Sequence, residues 1–208
     1  MGLEQYEIEG EAAAIRDAAG VDRNEAIAMP ALARRLFGRG AVRVVADLAA
    51  GGARLRVEGG RERIVVPAGL TDRELAATVA HELGEWRCLR AGYTGDDIEG
   101  VASAIGAALL LPRVPFVREV RRLGFAVREL GDAFVAPDAI VALRVGEVGE
   151  GAVALVTERW VLRRDAHLEL PRDGALFEAA LQGGGARFEC VRCRRPEPTV
   201  ALRLRDAG

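Results

Sequence analysis

One histidine and three carboxylates lie close together in the middle of the sequence, at spacings that suit a metal ion. His81, Glu82 and Glu85 fall in one predicted helix, and Glu99 opens the next. An α-helix turns once every ~3.6 residues, so His81 and Glu85 share a face and can hold one ion. Glu82 lies at the edge of that face, where it can act on a water molecule. The spacing therefore indicates a metal site with a neighbouring general base.

At one position this pattern departs from the His-Glu-x-x-His motif, in which two histidines bind zinc and the glutamate acts on water. Glu85 occupies the place of the second histidine. A glutamate can bind zinc at about 2.0–2.2 Å, but a second anionic ligand cancels more of the metal's charge. The bound water is then expected to be less acidic, and the site more tolerant of Mn²⁺ or Fe²⁺ in place of Zn²⁺.

Two of the carboxylates also have an interpretation that needs no metal. Glu85 can be a solvated helix residue, and Glu99 can form a capping box with Asp96 at the start of the second helix. Ala102 and Gly106, however, follow Glu99 at i+3 and i+7, which predicts that Glu99 lies on the apolar, core-facing side of its helix. A charge placed there needs a partner, and a bound cation would supply one.

Two consecutive helices are predicted to position these residues. Thr71 and Glu74 form a capping box that begins the first helix, over about residues 72–90. After a loop that contains Tyr93, the second helix starts near residue 96 and is stopped by Pro112, and its small residues permit close packing. As a catalytic residue, Tyr93 could donate a hydrogen bond to a developing oxyanion, although a structural tyrosine is the commoner situation in a loop.

The surrounding sequence predicts an α+β fold. Residues 5–37 read as one or two helices, with Pro30 near a helix start. Three short β segments follow at residues 42–45, 55–57 and 63–66, and the last two are predicted to form a hairpin.

The second half of the chain is expected to contain a boundary between two domains. A helix is predicted near residues 116–123, and residues 129–145 read as helix, turn, helix. The composition shifts at residues 146–151, after which the pattern alternates as in β-strands. The predicted later elements are strands at residues 153–156, 160–162, 188–191 and 200–204 and a short helix at 175–181. We therefore expect one domain over residues 1–148 and a small β-rich domain over residues 152–208.

The composition favours a folded protein of the cytoplasm. Half of the 208 residues are apolar, and the formal net charge of -2 gives no global attraction to nucleic acid. Three cysteines, an odd number, argue against a disulfide framework. The acidic N-terminus lacks the apolar segment of a signal peptide, and the longest apolar run is too short to cross a membrane.

The remaining candidate ligands have ordinary interpretations. Cys190 and Cys193 are spaced like half of a zinc knuckle, but a structural zinc site needs four ligands and the sequence offers no second pair. Cys88 reads as a buried thiol, and His167, beside Asp165, reads as a solvated side chain that could complete a metal site only from the tail. The second helix of residues 129–145 has one terminal arginine, so we expect no direct contact with nucleic acid.

Three stretches together resemble the ImmA/IrrE-type metallopeptidases. They are Ala80-His81-Glu82-Leu83-Gly84, Glu99-x-x-Ala102 and Ala108-Leu109-Leu110-Leu111-Pro112. The resemblance covers about residues 30–148, including the helix-turn-helix-like segment, and leaves the β-rich tail unaccounted for. It implies a zincin-like metallopeptidase domain, with a short β-sheet and an active-site helix.

The resemblance also implies a function and a role for each residue of the site. It implies a zinc-dependent endopeptidase that cleaves a helix-turn-helix transcriptional repressor, in phage or mobile-element control or in a stress response. By position, His81 matches the first zinc ligand, Glu82 the catalytic acid/base and Glu99 the third ligand, while Glu85 stands where the family has its second histidine. Because of that departure, a catalytically impaired protein that binds a repressor or a toxin–antitoxin partner remains the alternative.

Overall fold

The structure is a computed structural model that describes residues 4–46, 48, 52–94, 98–148, 153–156, 161–163, 188–193 and 199–204. It has an α+β fold, as the sequence predicts. The chain divides into two compact units, Met1–Arg113 and Val114–Gly208. Residues 149–151 of the predicted domain boundary, the predicted helix at residues 175–181 and His167 lie outside the described residues.

The first unit combines helices with a three-stranded sheet. Its elements are α1 (Gln5–Ala18), α2 (Met29–Phe37), β1 (Val42–Val45), β2 (Arg54–Glu58), β3 (Arg61–Pro67), α3 (Asp72–Ala91) and α4 (Ile98–Leu110). The strand order is β1-β3-β2, with β2 and β3 antiparallel, which confirms the predicted hairpin. The parallel pairing of β1 with β3 was not predicted, because it joins strands that are not consecutive in the sequence.

Helix α3 is defined at both ends by local sequence signals. The backbone N–H of Glu74 donates to the Thr71 hydroxyl over 3.3 Å, and the Glu74 carboxylate accepts from the backbone of Thr71 over 2.8 Å, so the predicted capping box is present. Gly92 ends the helix in the left-handed conformation, at a φ of 77° that favours glycine. These caps fix the start and the length of the helix that carries the histidine and two of the carboxylates.

One face of the sheet packs against α3. Ile64 and Val66 of β3 are fully buried, and Glu62 on the same face accepts a hydrogen bond from Trp86 of α3 over 2.9 Å. Arg90 also donates to Glu62, over 3.0 Å, and its guanidinium lies 5.0 Å from the centre of the Trp86 ring. A buried aromatic side chain and a shared carboxylate thus hold α3 on the sheet.

A buried arginine connects α1 to the end of α4. The side chain of Arg16 is 2% exposed and donates to the backbone carbonyls of Glu25, over 2.8 Å, and Leu109, also over 2.8 Å. The carbonyls in the last turn of a helix lack partners within the helix. Arg16 satisfies one of them and thereby fixes α4 in the first unit.

The second unit contains helices and an antiparallel sheet. The chain continues as α5 (Arg113–Leu123), α6 (Val127–Phe134), α7 (Asp138–Glu147), β4 (Val153–Val156), β5 (Val161–Arg163), β6 (Phe188–Cys193) and β7 (Thr199–Leu204). The strand order is β5-β4-β7-β6. Helices α6 and α7 form the predicted helix-turn-helix-like segment, which turns at Val135 in the left-handed conformation. Among the described residues, no single helix has both the length and the hydropathy needed to cross a bilayer; only α4 and α5 taken as a broken pair meet that test.

Candidate metal centre

Helix α3 brings three potential ligands together. His81, Glu82 and Glu85 each offer one nitrogen or oxygen atom, and these atoms all lie within 4.8 Å of one another. His81 and Glu85 are half-buried, whereas Glu82 is only 3% exposed. The cluster therefore has one side open to solvent and one carboxylate inside the protein.

Helix α4 places two further side chains beside His81, although Glu99 does not belong to the group of described residues whose donor atoms all lie within 4.8 Å of one another. The Nε2 atom of His81 lies 3.3 Å from the Oε2 atom of Glu99, and the Nδ1 atom of His81 lies 3.2 Å from the Oγ atom of Ser103. Ser103 was not predicted, although its position four residues after Glu99 places it on the same helix face. A partner at Nδ1 fixes the ring orientation and leaves Nε2 beside Glu99.

The environment of Glu99 differs from the one expected. Its side chain is 71% exposed rather than core-facing, although Ala102 and Gly106 on the same stripe are buried. Glu99 lies in the first turn of α4. The carboxylate therefore reaches His81 from the solvent side, and the argument that a buried charge requires a cation applies instead to Glu82.

Two glycines allow α3 and α4 to approach closely enough for these contacts. A Cβ atom on Gly84 would lie 2.2 Å from the carbonyl oxygen of Ala102, and a Cβ atom on Gly106 would lie 3.0 Å from the backbone of Ala80 and His81. No side chain fits at the first of these positions without moving a backbone. The close packing anticipated from the small residues of α4 is confirmed, and Gly84 supplies its counterpart on α3.

Glu82 is the most unusual carboxylate of the cluster. Its Oε2 atom is buried without a hydrogen-bond partner, while the backbone N–H of Leu55 in β2 donates to the carboxylate. Burial, and then the negative charge of Glu85, raise the pKa of Glu82 to about 7, against the opposing effect of the Leu55 hydrogen bond. A carboxyl group with a pKa near neutrality can both accept and release a proton at physiological pH.

The residues of the cluster fit a divalent cation. An unpartnered buried carboxylate oxygen is costly, and a cation would satisfy it together with the surrounding negative charge. One imidazole nitrogen and several carboxylate oxygens form a donor set that suits zinc, manganese or ferrous iron. The same limit of 4.8 Å holds for Glu82 as for His81 and Glu85, so this limit does not separate a ligand from a base.

The Tyr93 hydroxyl forms its hydrogen bond with a residue of α1 and not with the carboxylates of the cluster. It donates to Glu11 over 3.1 Å, and Arg87 of α3 pairs with the same carboxylate. Burial and the hydrogen bond to Glu11 raise the pKa of Tyr93. These contacts support the structural interpretation of Tyr93, whereas its catalytic role stays a prediction that would require the hydroxyl to leave Glu11.

The cysteines show no sign of a second metal site in the part of the chain that the structure describes. Cys88 is fully buried, and burial raises the pKa of its thiol, as befits an inert core residue. Cys193 is a half-buried cysteine in β6, the strand that also contains Cys190. The expectation of ordinary strand residues at these two positions stays a prediction.

Comparisons with known proteins identify the fold but no family. No protein-family model matches the chain, and no curated protein matches it. A solved structure of a Mycobacterium tuberculosis transcriptional regulator superposes with a TM-score of 0.63 at 14% sequence identity, over 96% of this chain and 88% of that chain. At so low an identity, the similarity establishes a shared fold and nothing about the chemistry of the site.

Proposed function

We propose that this protein is a metal-dependent endopeptidase in which Glu82 is the general base. The observation that carries the proposal is the buried, unpartnered Oε2 atom of Glu82, in a cluster whose donor atoms lie within 4.8 Å of one another. A purely structural glutamate at this position would be expected to have a hydrogen-bond partner for each buried oxygen. The resemblance to the ImmA/IrrE-type metallopeptidases supports the same interpretation of the motif.

The cation would be held by His81, Glu85 and Glu99. Zinc is proposed because of the family resemblance, with Mn²⁺ or Fe²⁺ as substitutes that this carboxylate-rich set would accept. When bound, the cation supplies a Lewis acid that polarises a peptide carbonyl and increases the acidity of water. Ser103 keeps the His81 ring in the orientation in which Nε2 lies beside Glu99.

Glu82 performs the proton transfers in this proposal. It takes a proton from the attacking water and passes it to the amine that leaves when the peptide bond breaks. The Leu55 N–H holds the carboxylate in place, and in the metal-free protein the pKa of Glu82 is about 7, at which a carboxyl group can accept a proton and release it again. General catalysis of this kind contributes about 10²–10⁴-fold to the rate.

The sheet offers a way to bind an extended peptide substrate next to Glu82. Strand β2 lies at one edge of the order β1-β3-β2 and contains Leu55, whose backbone contacts Glu82. A substrate strand added to this edge would lie beside the carboxylate. We propose a zincin-like arrangement on this basis, with a helix-turn-helix repressor as the substrate class suggested by the family resemblance.

The proposal is tested with the zinc-loaded full chain and a diverse library of unstructured peptides. Glu82→Gln should reduce cleavage by about 10²–10⁴-fold while elemental analysis finds unchanged zinc, because the amide preserves shape but cannot accept a proton. Glu85→Ala should lower both zinc content and cleavage. Loss of zinc in Glu82→Gln would instead identify Glu82 as a ligand. Full zinc content and full cleavage in Glu85→Ala would show that Glu85 has no role in metal binding or catalysis.

Replacing Glu85 by histidine provides the sharpest test of the ligand assignment. Glu85→His restores the His-Glu-x-x-His set, so zinc binding should persist and the water should become more acidic. The pH–rate profile should then shift toward lower pH. An unchanged profile would contradict a role for Glu85 at the reacting centre.

A non-catalytic binding protein is the second candidate, and the glutamate at position 85 favours it. With Glu85 and Glu99 both as ligands, two anionic groups would cancel more of the cation's charge than two imidazoles and one carboxylate, and water would be activated less. The structure similar in fold is described as a transcriptional regulator, a description compatible with a protein that binds a repressor or an antitoxin without cutting it. Pull-down followed by intact-mass analysis separates the two: an uncut partner supports binding alone, and a cleaved partner supports the peptidase.

A further inference from the structure

The face of the three-stranded sheet that points away from α3 is rich in arginine. Successive residues of a strand point to opposite faces. Glu62 contacts Trp86 and Arg90 of α3, so its neighbours Arg61 and Arg63 project from the other face. Two positive side chains of β3 therefore stand on the side that α3 does not cover.

The strand register adds three more arginines to this face. Arg56 of β2 is paired with Arg63, and Val65 is flanked by Arg54 of β2 and Arg43 of β1. We call the following five residues the arginine face: Arg43, Arg54, Arg56, Arg61 and Arg63. Glu58, which is paired with Arg61, is the only acidic residue of β1, β2 and β3 on this side.

The charges of the arginine face are not balanced by its own carboxylate. Glu58 lies 3.5 Å from Arg43 and 3.9 Å from Arg63, so it serves the two of them. Within the described residues, the exposed Arg56 and Arg61 form no ion pair. Arg56 and Arg63 moreover stand directly opposite each other, an arrangement of like charges that destabilises a sheet.

Packing explains only part of this arrangement. Val65 is 4% exposed, and the aliphatic parts of Arg43 and Arg54 on either side are suited to covering it. Arg56 and Arg61 do not flank Val65, so this role does not account for them. An uncompensated positive surface on a protein of net charge -2 points instead to an anionic partner.

The composition of the face favours nucleic acid over protein as that partner. Protein interfaces have an apolar and aromatic centre, but β1, β2 and β3 contain no aromatic residue, and their exposed valines, Val44 and Val57, lie on the opposite face. Interfaces with nucleic acid are more polar and much more positive, and the arginine fork matches phosphate oxygens. Single strands are usually bound by stacking on aromatic rings, which are absent from these three strands, so a double helix fits better.

We propose that the arginine face binds the phosphate backbone of double-stranded DNA without sequence preference. The sheet presents guanidinium groups on strands about 4.8 Å apart, with alternate residues about 6.6 Å apart along a strand, a flat array suited to several neighbouring phosphates. It offers no helix to enter a groove and read bases. The inference does not depend on hydrolysis at the metal centre, because no residue of the arginine face is assigned to that reaction.

The binding test uses the full chain and a labelled duplex of about 20 base pairs, with affinity followed by fluorescence anisotropy as salt increases. Non-specific binding with a Kd of about 10⁻⁴–10⁻⁶ M at physiological salt is expected. The triple variant Arg43→Gln, Arg56→Gln, Arg61→Gln should bind at least about tenfold more weakly, and the slope of log K against log salt should flatten by about 0.9 for each phosphate that is no longer neutralised. The control variant Arg118→Gln, Arg121→Gln, Arg122→Gln removes the same charge from α5 and should leave both quantities unchanged.

Several outcomes would overturn the proposal. The first is that the wild-type chain does not bind the duplex at about 50 mM salt. The second is that the triple variant and the α5 control lose the same amount of duplex affinity. The third is that the chain binds phosphatidylserine vesicles or polyglutamate more tightly than the duplex. Preference for an RNA duplex over the DNA duplex would overturn the choice of DNA. Arg→Lys at the same three positions keeps the charge and should preserve the salt slope, which separates a reduced attraction to phosphate from misfolding.

Discussion

The two faces of the three-stranded sheet differ in charge and in contact with water. On the α3 side, β2 meets a cluster of carboxylates, and its Leu55 N–H donates to the buried Glu82. On the opposite side, the neighbouring Arg54 and Arg56 belong to an array of arginines at the surface. Arg54 also lowers the pKa of Glu82 through its charge, so the two regions are electrostatically connected across one strand.

Net charge does not describe how charges are distributed over the surface of a protein. The formal total is -2, but the pleat of the sheet places all five arginines of β1, β2 and β3 on one side, together with one of the two glutamates of these strands. Burial also makes the two regions respond differently. Changes at Glu82 should be large and little affected by salt, whereas changes at the exposed arginines should be small and screened by salt.

The largest expected effect concerns the pH dependence of stability in the metal-free protein. The pKa of Glu82 rises from 4.5 to about 7 on folding, so the folded state binds the proton more tightly than the unfolded state. The stability associated with the protonated carboxyl is complete below pH 4.5, falls as the pH rises and is lost above pH 7. Glu82→Gln does not titrate, so relative to wild type it should gain about 3 kcal/mol across this window.

Urea unfolding in the presence of a chelator, at a series of pH values, measures this difference. Glu85→Gln is the matched control, because the charge of Glu85 helps to raise the pKa of Glu82. Its removal should narrow the pH window without abolishing it. A constant difference between Glu82→Gln and wild type at every pH would show that Glu82 is not a buried, proton-binding carboxylate.

The next effect concerns the close approach of α3 and α4. Gly84→Ala places a Cβ atom 2.2 Å from the Ala102 carbonyl oxygen, so the helices must separate, at a cost of about 1–3 kcal/mol or more. The separation should also weaken metal binding, because it draws His81 away from Glu99. Gly10→Ala in α1 is the control, because nothing lies within 4 Å of the added Cβ atom. Alanine is a better helix former than glycine, so this variant should be slightly more stable than the wild type.

Thermal unfolding and zinc titration of the two glycine variants test this point together. Gly84→Ala should lose both stability and zinc affinity, and Gly10→Ala should lose neither. If Gly84→Ala kept wild-type zinc affinity, the two helices would not hold the ion jointly, and the ligands of the metal would all belong to α3.

A smaller effect is expected at Ser103. The Ser103 hydroxyl lies 3.2 Å from Nδ1 of His81, and in our proposal it orients the ring and is not itself a ligand. Removal of such a supporting group typically lowers metal affinity or activity by about 10–100-fold. Zinc titration of Ser103→Ala should show this loss, and Ser103→Thr should largely restore binding, a recovery that loss of packing alone would not predict.

The sequence predicted the elements better than their arrangement, and the reasons are physical. The limits of α3 follow from caps and periodicity within one segment, and the predicted residues 72–90 agree with Asp72–Ala91. Exposure of Glu99 was missed because periodicity identifies a helix face but not where the neighbouring helix stops covering it. The arginine face was missed for a similar reason: it depends on the parallel pairing of β1 with β3, which brings Arg43 alongside Val65.

The same distinction applies to the metal cluster. The i and i+4 spacing on one helix is local, so the approach of His81 to Glu85 could be anticipated. The hydrogen bond from the Leu55 N–H to Glu82 depends on how β2 packs beside α3, so it could not be anticipated from the sequence. The contact of Tyr93 with Glu11 likewise joins residues far apart in the sequence.

The smallest expected effect is a gain in stability on the arginine face. Arg56 stands directly opposite Arg63, so Arg56→Gln should raise the free energy of unfolding by about 0.2–1 kcal/mol at low salt, because like charges are separated. The gain should vanish near about 1 M salt, where the screening length is only about 3 Å. Arg122→Gln is the control: Arg122 is ion-paired with Glu119 at 2.7 Å, so its replacement should bring no gain. Urea unfolding at low and high salt measures both.

Destabilisation by Arg56→Gln at every salt concentration would mean that this side chain supports the sheet by packing, and the arginine face would then need no anionic partner to explain it. A salt-dependent gain would instead show that the sheet retains a charge that its own stability opposes.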